Sequence, residues 1–133
     1  GFCFGGGVTW AAATKIPELK ATAAFYGPAP DAAAVPNIKA ATFGVYAEND
    51  ARLTGGRDAL EKALTAAKVT NQMKVYPGVG HAFHNDTAGA WNEAQATQAW
   101  KDGGASPWTE RMKTFFLAPE CKPIRYVLRR YGK

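Results

Sequence analysis

Gly1-Phe2-Cys3-Phe4-Gly5-Gly6-Gly7 is the stretch on which the reading of this chain turns. A cysteine with glycines two residues before and two residues after it has the spacing of a nucleophile elbow, with thiol in place of hydroxyl. Such an elbow is a strained turn between a strand and a helix, where backbones crowd and side chains at the flanking positions clash. The turn lifts the nucleophile clear of the sheet and sets it at a helix N-terminus, where the dipole and free N–H groups favour a thiolate. The N–H of Phe4, the next residue, is then one donor for an oxyanion. The same heptad also reads as a flexible segment with a small buried thiol, so the motif needs partners elsewhere in the chain.

Working outward, Val8 to Ile16 is alanine-rich and stopped by Pro17, which suits the helix that follows an elbow. Lys20 to Tyr26 is a small-residue apolar strand closed by Gly27-Pro28, and residues 28–38 hold three prolines and read as a loop without regular period. Ala40 to Ala47 is a second apolar strand, ending at Glu48-Asn49-Asp50. Gly55 to Lys68 carries Leu60, Ala63, Leu64 and Ala67 at helical spacing with charges between them, an amphipathic helix. Gln72 to Tyr76 is a third strand, leaving through Pro77-Gly78-Val79-Gly80-His81. Ala88 to Asp102 is helical by propensity, Gly103-Gly104 breaks it, and Pro107 to Leu117 reads as a last helix. No internal repeat is visible.

Strands alternating with helices predict an α/β fold with a mostly parallel sheet of about three to four strands. In such sheets functional groups collect just past the carboxyl ends of strands. Asp50 and His81 occupy two such places, and Cys3 a third if a strand precedes it, in the chain order nucleophile, acid, histidine that α/β-hydrolases use. The expectation is a Cys-His-Asp triad. Taken alone, Asp50 also reads as a turn residue capping the next helix, and His81 as a polar loop residue.

The chain has 133 residues, enough for one domain with a real core, and its 47% hydrophobic and 12% aromatic content is that of a folded globule. No apolar run approaches a membrane span and no charged-then-apolar leader is present, so no membrane association is expected. Two distant cysteines, Cys3 and Cys121, make no disulfide framework, and the default is a reducing cytoplasm. A bridge between them would silence the proposed nucleophile. The net charge of +5 invites a nucleic-acid reading, but residues 119–133 hold five cations against Glu120 and leave the rest at +1. A basic groove on the body is absent, and a solvated tail is the reading preferred over a nucleic-acid partner.

Four motifs carry a family resemblance: Gly-Phe-Cys-Phe-Gly-Gly-Gly at 1–7, Ala-Phe-Tyr-Gly at 24–27, Gly-Val-Tyr-Ala-Glu-Asn-Asp-Ala-Arg at 44–52 and Tyr-Pro-Gly-Val-Gly-His-Ala-Phe-His-Asn-Asp at 76–86. From Gly1 to about Leu117 the chain resembles the dienelactone hydrolase (carboxymethylenebutenolidase) family. The resemblance implies Cys3 as nucleophile, Asp50 as orienting acid and His81 as general base, in an esterase or lactonase working through an acyl-thioester without metal or organic cofactor. Members begin with several strands and helices before the elbow, so residues 1–118 correspond to the carboxyl-terminal half of the fold. The strand feeding Cys3, the second oxyanion donor, a glutamate that manages the resting thiol's proton and substrate-binding groups belong to the other half. Members acting on dienelactone carry an arginine for the substrate carboxylate where this chain has Asn85, which puts that particular substrate in doubt. Tyr26 and Phe4 are implied to line the pocket. Residues 119–133 match nothing in the family.

His81-x-x-His84 with Asp86 can be drawn as a metal cluster, but no clear third or fourth ligand accompanies it. Glu48 reads as a structural loop carboxylate, and Trp91, Trp100, Trp108, Phe115 and Phe116 as core rather than substrate platform. The alternative to an enzyme is an inactive hydrolase remnant with an unpaired sheet edge, acting as a homodimer or complementing a separate amino-terminal half.

Overall fold

In the computed structural model the described residues are 1–105. The elements run α1 (Phe4–Lys15), β1 (Ala21–Phe25), a 3-10 turn (Ala32–Asn37), β2 (Ala41–Ala47), α2 (Ala51–Thr54), α3 (Arg57–Ala66), β3 (Asn71–Tyr76) and α4 (Glu93–Ala105). The three strands form a parallel sheet in the order β1-β2-β3, in register from Ala21↔Ala41 to Phe25↔Val45 and from Thr42↔Asn71 to Ala47↔Tyr76. Phe2 adds a single parallel bridge to Phe25. The Phe25 N–H donates to Gly1 O and the Phe25 carbonyl accepts from Cys3 N–H, while the Tyr26 N–H turns the other way, to Val45 O. The elbow segment therefore lies on the side of β1 away from β2.

The central strand explains the layering. Ala41–Ala47 is covered on both faces, as a parallel strand between helices must be. Thr42, Gly44 and Tyr46 point to one side, where Trp10 of α1 and Arg57 of α3 lie beside the Tyr46 hydroxyl. Phe43, Val45 and Ala47 point to the other, where α4 packs. There Tyr76 Oη donates to Asp102 Oδ2 at 2.8 Å and Lys74 Nζ pairs with the same oxygen at 2.9 Å. Leu60 and Leu64, one turn apart on α3, are buried as their spacing requires. Each contributes about 1.5–3 kcal/mol by leaving water.

Five boundaries differ from those read in the sequence. Helix α1 begins at Phe4, taking in the glycines, rather than at Val8. Residues 28–38 are not wholly irregular, because Asp31 accepts from the Ala33 N–H and starts a 3-10 turn. The helix expected from Gly55 to Lys68 runs from Arg57 to Ala66, and a short helix the sequence reading did not include, α2, precedes it across Gly55 and Gly56. The last described helix starts at Glu93, not Ala88, because the Asn92 side chain accepts from the Gln95 N–H and caps it. Nor does it break at Gly103: a Cβ there would stand 3.1 Å from the Phe43 ring, so the glycine serves close packing of α4 on the sheet. The helix expected at 107–117, with Trp108, Phe115 and Phe116, lies outside the described residues, as do Cys121 and the basic tail.

Candidate active site

Cys3 sits where the elbow segment ends and α1 begins. Its backbone has φ 51° and ψ −119°, a left-handed conformation that is strained for any residue with a Cβ. The turn is held by Cys3 N–H to Phe25 O at 3.0 Å and by Gly6 N–H to Cys3 O at 2.9 Å. Strand β1 thus fixes one side of the cysteine and the first helical turn the other. The crowding is real, but it falls differently from the simple motif. A Cβ on Gly1 would lie 2.2 Å from Gly5 O, whereas one on Gly5 would meet nothing within 4 Å. The second tight position is Gly6, whose Cβ would lie 2.7 Å from Phe25 O and 2.9 Å from the Gly27 Cα.

Asp50 follows β2 and His81 follows β3, so the parallel sheet delivers all three side chains to one edge. His81 Nε2 is 3.1 Å from Cys3 Sγ, and His81 Nδ1 is 2.5 Å from Asp50 Oδ2. Asp50 is only 9% exposed and stands at the N-cap of α2, yet its side chain makes no capping bond there. Its carboxylate is spent on His81 instead. Each of the last two strands ends in a loop that carries one member, and Asn49 N–H to Val79 O at 2.9 Å ties the two loops together.

The remaining sequence candidates are distributed around this relay. Phe4 opens α1, so its N–H has no intrahelical acceptor, and its side chain is 85% exposed. Tyr26 is buried and packs edge-on against the His81 ring at 5.0 Å between centroids. Burial, and then the neighbouring Cys3, pushes the Tyr26 phenol above its ordinary range. Asn85 is exposed, and its Oδ1 accepts from both the N–H and the hydroxyl of Thr87, closing a turn. The His84 ring sits in an aromatic cluster with Phe25 at 4.8 Å and Phe83 at 4.9 Å. Among the described residues no cluster of His, Cys, Asp and Glu could hold a metal ion, and no helix is long and apolar enough to cross a membrane. Trp91 and Trp100 are partly buried against the core.

One feature of the site was not legible in the motifs. Four described non-glycine residues have positive φ, and three of them belong to the site: Cys3, Tyr26 at 39° and Ala82, directly after His81, at 64°. Strain of about 1–3 kcal/mol per residue, gathered at one place, marks a locally over-determined backbone.

Residues 1–105 match the sequence model of the dienelactone hydrolase family. A protein of Saccharolobus solfataricus, provisionally named carboxymethylenebutenolidase, is 37% identical over 116 residues, covering 86% of this chain and 41% of that relative. One of Escherichia coli K12 with the same provisional name is 31% identical over 112 residues, covering 76% of this chain and 41% of its own. The crystal structure of a Klebsiella pneumoniae protein, provisionally named dienelactone hydrolase, superimposes with a TM-score of 0.74 at 31% identity. That match covers 83% of this chain and 50% of the Klebsiella one. The chain thus spans about two fifths of the curated relatives cited here, and its three-stranded parallel sheet with flanking helices is part of an α/β-hydrolase fold.

Proposed function

The chain belongs to the dienelactone hydrolase family, and from that membership we propose that it carries the nucleophile and proton relay of a carboxylic ester or lactone hydrolase. The observation that supports this best is the unbroken path from Cys3 Sγ through His81 to Asp50, at 3.1 and 2.5 Å, on a turn with a strained cysteine. Three side chains from three separate loops have no packing reason to align in this way.

In the proposed reaction His81 Nε2 takes the Cys3 proton, and the thiolate forms a C–S bond to the ester carbonyl. The carbonyl π pair moves onto oxygen, and the Phe4 N–H donates to that oxyanion. Collapse of the intermediate breaks the C–O bond, and His81 returns the proton to the departing alkoxide. A water, deprotonated by His81, then attacks the thioester, releasing acid and restoring the thiol. Asp50 holds the imidazole orientation and stabilises its charged form throughout. Neither half-reaction draws on a metal or an organic cofactor.

Residues 1–118 form the hydrolase part on this reading, and 119–133 a separate basic tail. The second oxyanion donor and most of the acyl pocket are assigned to a segment that packs beside the elbow, with Tyr26 beneath His81 and Asn85 at the mouth. A small ester or lactone is the substrate, and the cytoplasm the compartment. A second reading, a complementing or dimerising module, draws support from Phe2, Phe4 and Val8, all exposed on the elbow side of the sheet.

A burst assay with an activated aryl ester tests the proposal. One acyl group per chain on the Cys3 peptide, absent from Cys3→Ala, is the expected result. Labelling no faster than that of a free thiol would sink autonomous catalysis and leave the module reading standing.

A further inference from the structure

We propose that Glu48 is a positioning residue for His81, acting through the loop that carries it; this rests on the hydrolase reading above. The hydrogen bonds past the ends of β2 and β3 are the basis. Regular pairing stops at Ala47↔Tyr76, but the two chains stay joined: Glu48 N–H donates to Tyr76 O at 3.0 Å and Asn49 N–H to Val79 O at 2.9 Å. Between these two backbone ties, the Glu48 carboxylate accepts from the Gly78 N–H at 2.7 Å.

The Glu48 contact differs from its neighbours. It is charge-assisted, and such bonds are about twice as strong as neutral ones. It also falls on the residue whose backbone turns the loop, since Gly78 has φ 71°. With Gly78 fixed, the buried Val79 side chain and then His81 follow from a defined starting point. The acid's side of the relay is held just as firmly, by Asp50 N–H to Ala47 O at 3.1 Å and Thr54 Oγ1 to Ala47 O at 2.7 Å. Glu48 joins these two halves, with a side chain from the Asp50 loop that reaches the His81 loop. It touches neither Cys3 nor a substrate position, so its effect is on the aim of the imidazole.

The test compares Glu48→Ala and Glu48→Gln in the full chain, by steady-state kinetics on an activated aryl ester and by the proton resonance of His81 Nδ1–H. Glu48→Ala should lower kcat about tenfold with KM unchanged, the cost of sub-ångström misplacement of a proton-transfer group. Its Nδ1–H resonance should broaden or move. Glu48→Gln keeps an acceptor for Gly78 and should recover most of both. If Glu48→Ala loses the fold, Glu48→Met keeps the exposed stem, removes the acceptor without adding a cation and carries the same expectation. An alanine variant that matches the wild type in kcat and resonance overturns the proposal, as does a glutamine variant as impaired as the alanine one. Should the wild type itself fail to acylate Cys3, the hydrolase reading falls, and the resonance still reports whether Glu48 sets His81.

Discussion

Gly6 and Gly27 meet backbone to backbone: a Cβ on Gly27 would lie 2.3 Å from the carbonyl carbon of Gly6. That contact seats α1 against the loop leaving β1 and so sets the height of Cys3 above the sheet. Three glycines in a first helical turn cost about 1 kcal/mol each relative to alanine, and this contact is the reason at least one of them is kept.

Gly6→Ala and Gly27→Ala should therefore each destabilise the fold by about 1–3 kcal/mol, through overpacking against backbone that cannot yield. Both should also displace Cys3 and cut its acylation. Gly5→Ala is the control, since a methyl there meets nothing. It should be neutral or stabilising by up to about 1 kcal/mol. Thermal melts of the three variants check the ordering.

Much of this was legible in the chain, and the physical reason is periodicity. Apolar runs ending in short polar loops placed Asp50 and His81 past strand ends, the glycine spacing singled out Cys3, and parallel pairing did the rest. The Asn92 cap had a local signal, asparagine with glutamine three residues on, that propensity alone overrode in placing the helix start at Ala88. The roles of Gly6 and Glu48 had none, because each acts on a partner twenty or more residues away, and Tyr26 stood out only through the family resemblance. Gly103 misled for the same reason: its partner is Phe43, on another element.

Asp50 has its carboxylate on His81 Nδ1 rather than on its own helix, which yields a kinetic prediction. Asp50→Asn should leave α2 in place, since no capping bond is lost. The amide can stabilise the wrong tautomer of His81 and gives no charge to the imidazolium, so turnover should fall about 10²–10⁴-fold. Circular dichroism should be unchanged. A variant within threefold of wild-type kcat would remove Asp50 from the mechanism.

Asp102 staples α4 to β3. Burial works against its charge, but Lys74, Tyr76 and Gln98 more than offset this and hold the carboxyl below its ordinary range. Asp102→Asn should cost about 1–3 kcal/mol, because it weakens a charge-assisted pair and leaves the buried Tyr76 hydroxyl with a poorer acceptor. The urea midpoint should drop while the slope stays constant.

His84 makes acid the weak side of this fold. Both ring nitrogens are buried without a hydrogen-bond partner, between Phe25 and Phe83, with the half-exposed Phe2 beside them. Burial lowers its pKa from 6.5 to about 4; the Ala96 backbone favours the charged ring but makes no well-formed bond to it. Because the folded ring holds a proton less tightly than the unfolded one, the unfolded chain binds more protons between those two values. Unfolding free energy is thus at its full value above about pH 6.5 and is lost as pH falls toward 4. Allowing for the partial exposure of the ring, the loss should be roughly 1–2 kcal/mol. His84→Phe keeps the aromatic packing and removes the titration. It should be more stable than the wild type at pH 5, with a melting temperature that changes less between pH 7 and pH 5. Equal pH slopes for the two proteins would mean that His84 is solvated in the folded state, and that carboxylates alone account for acid sensitivity.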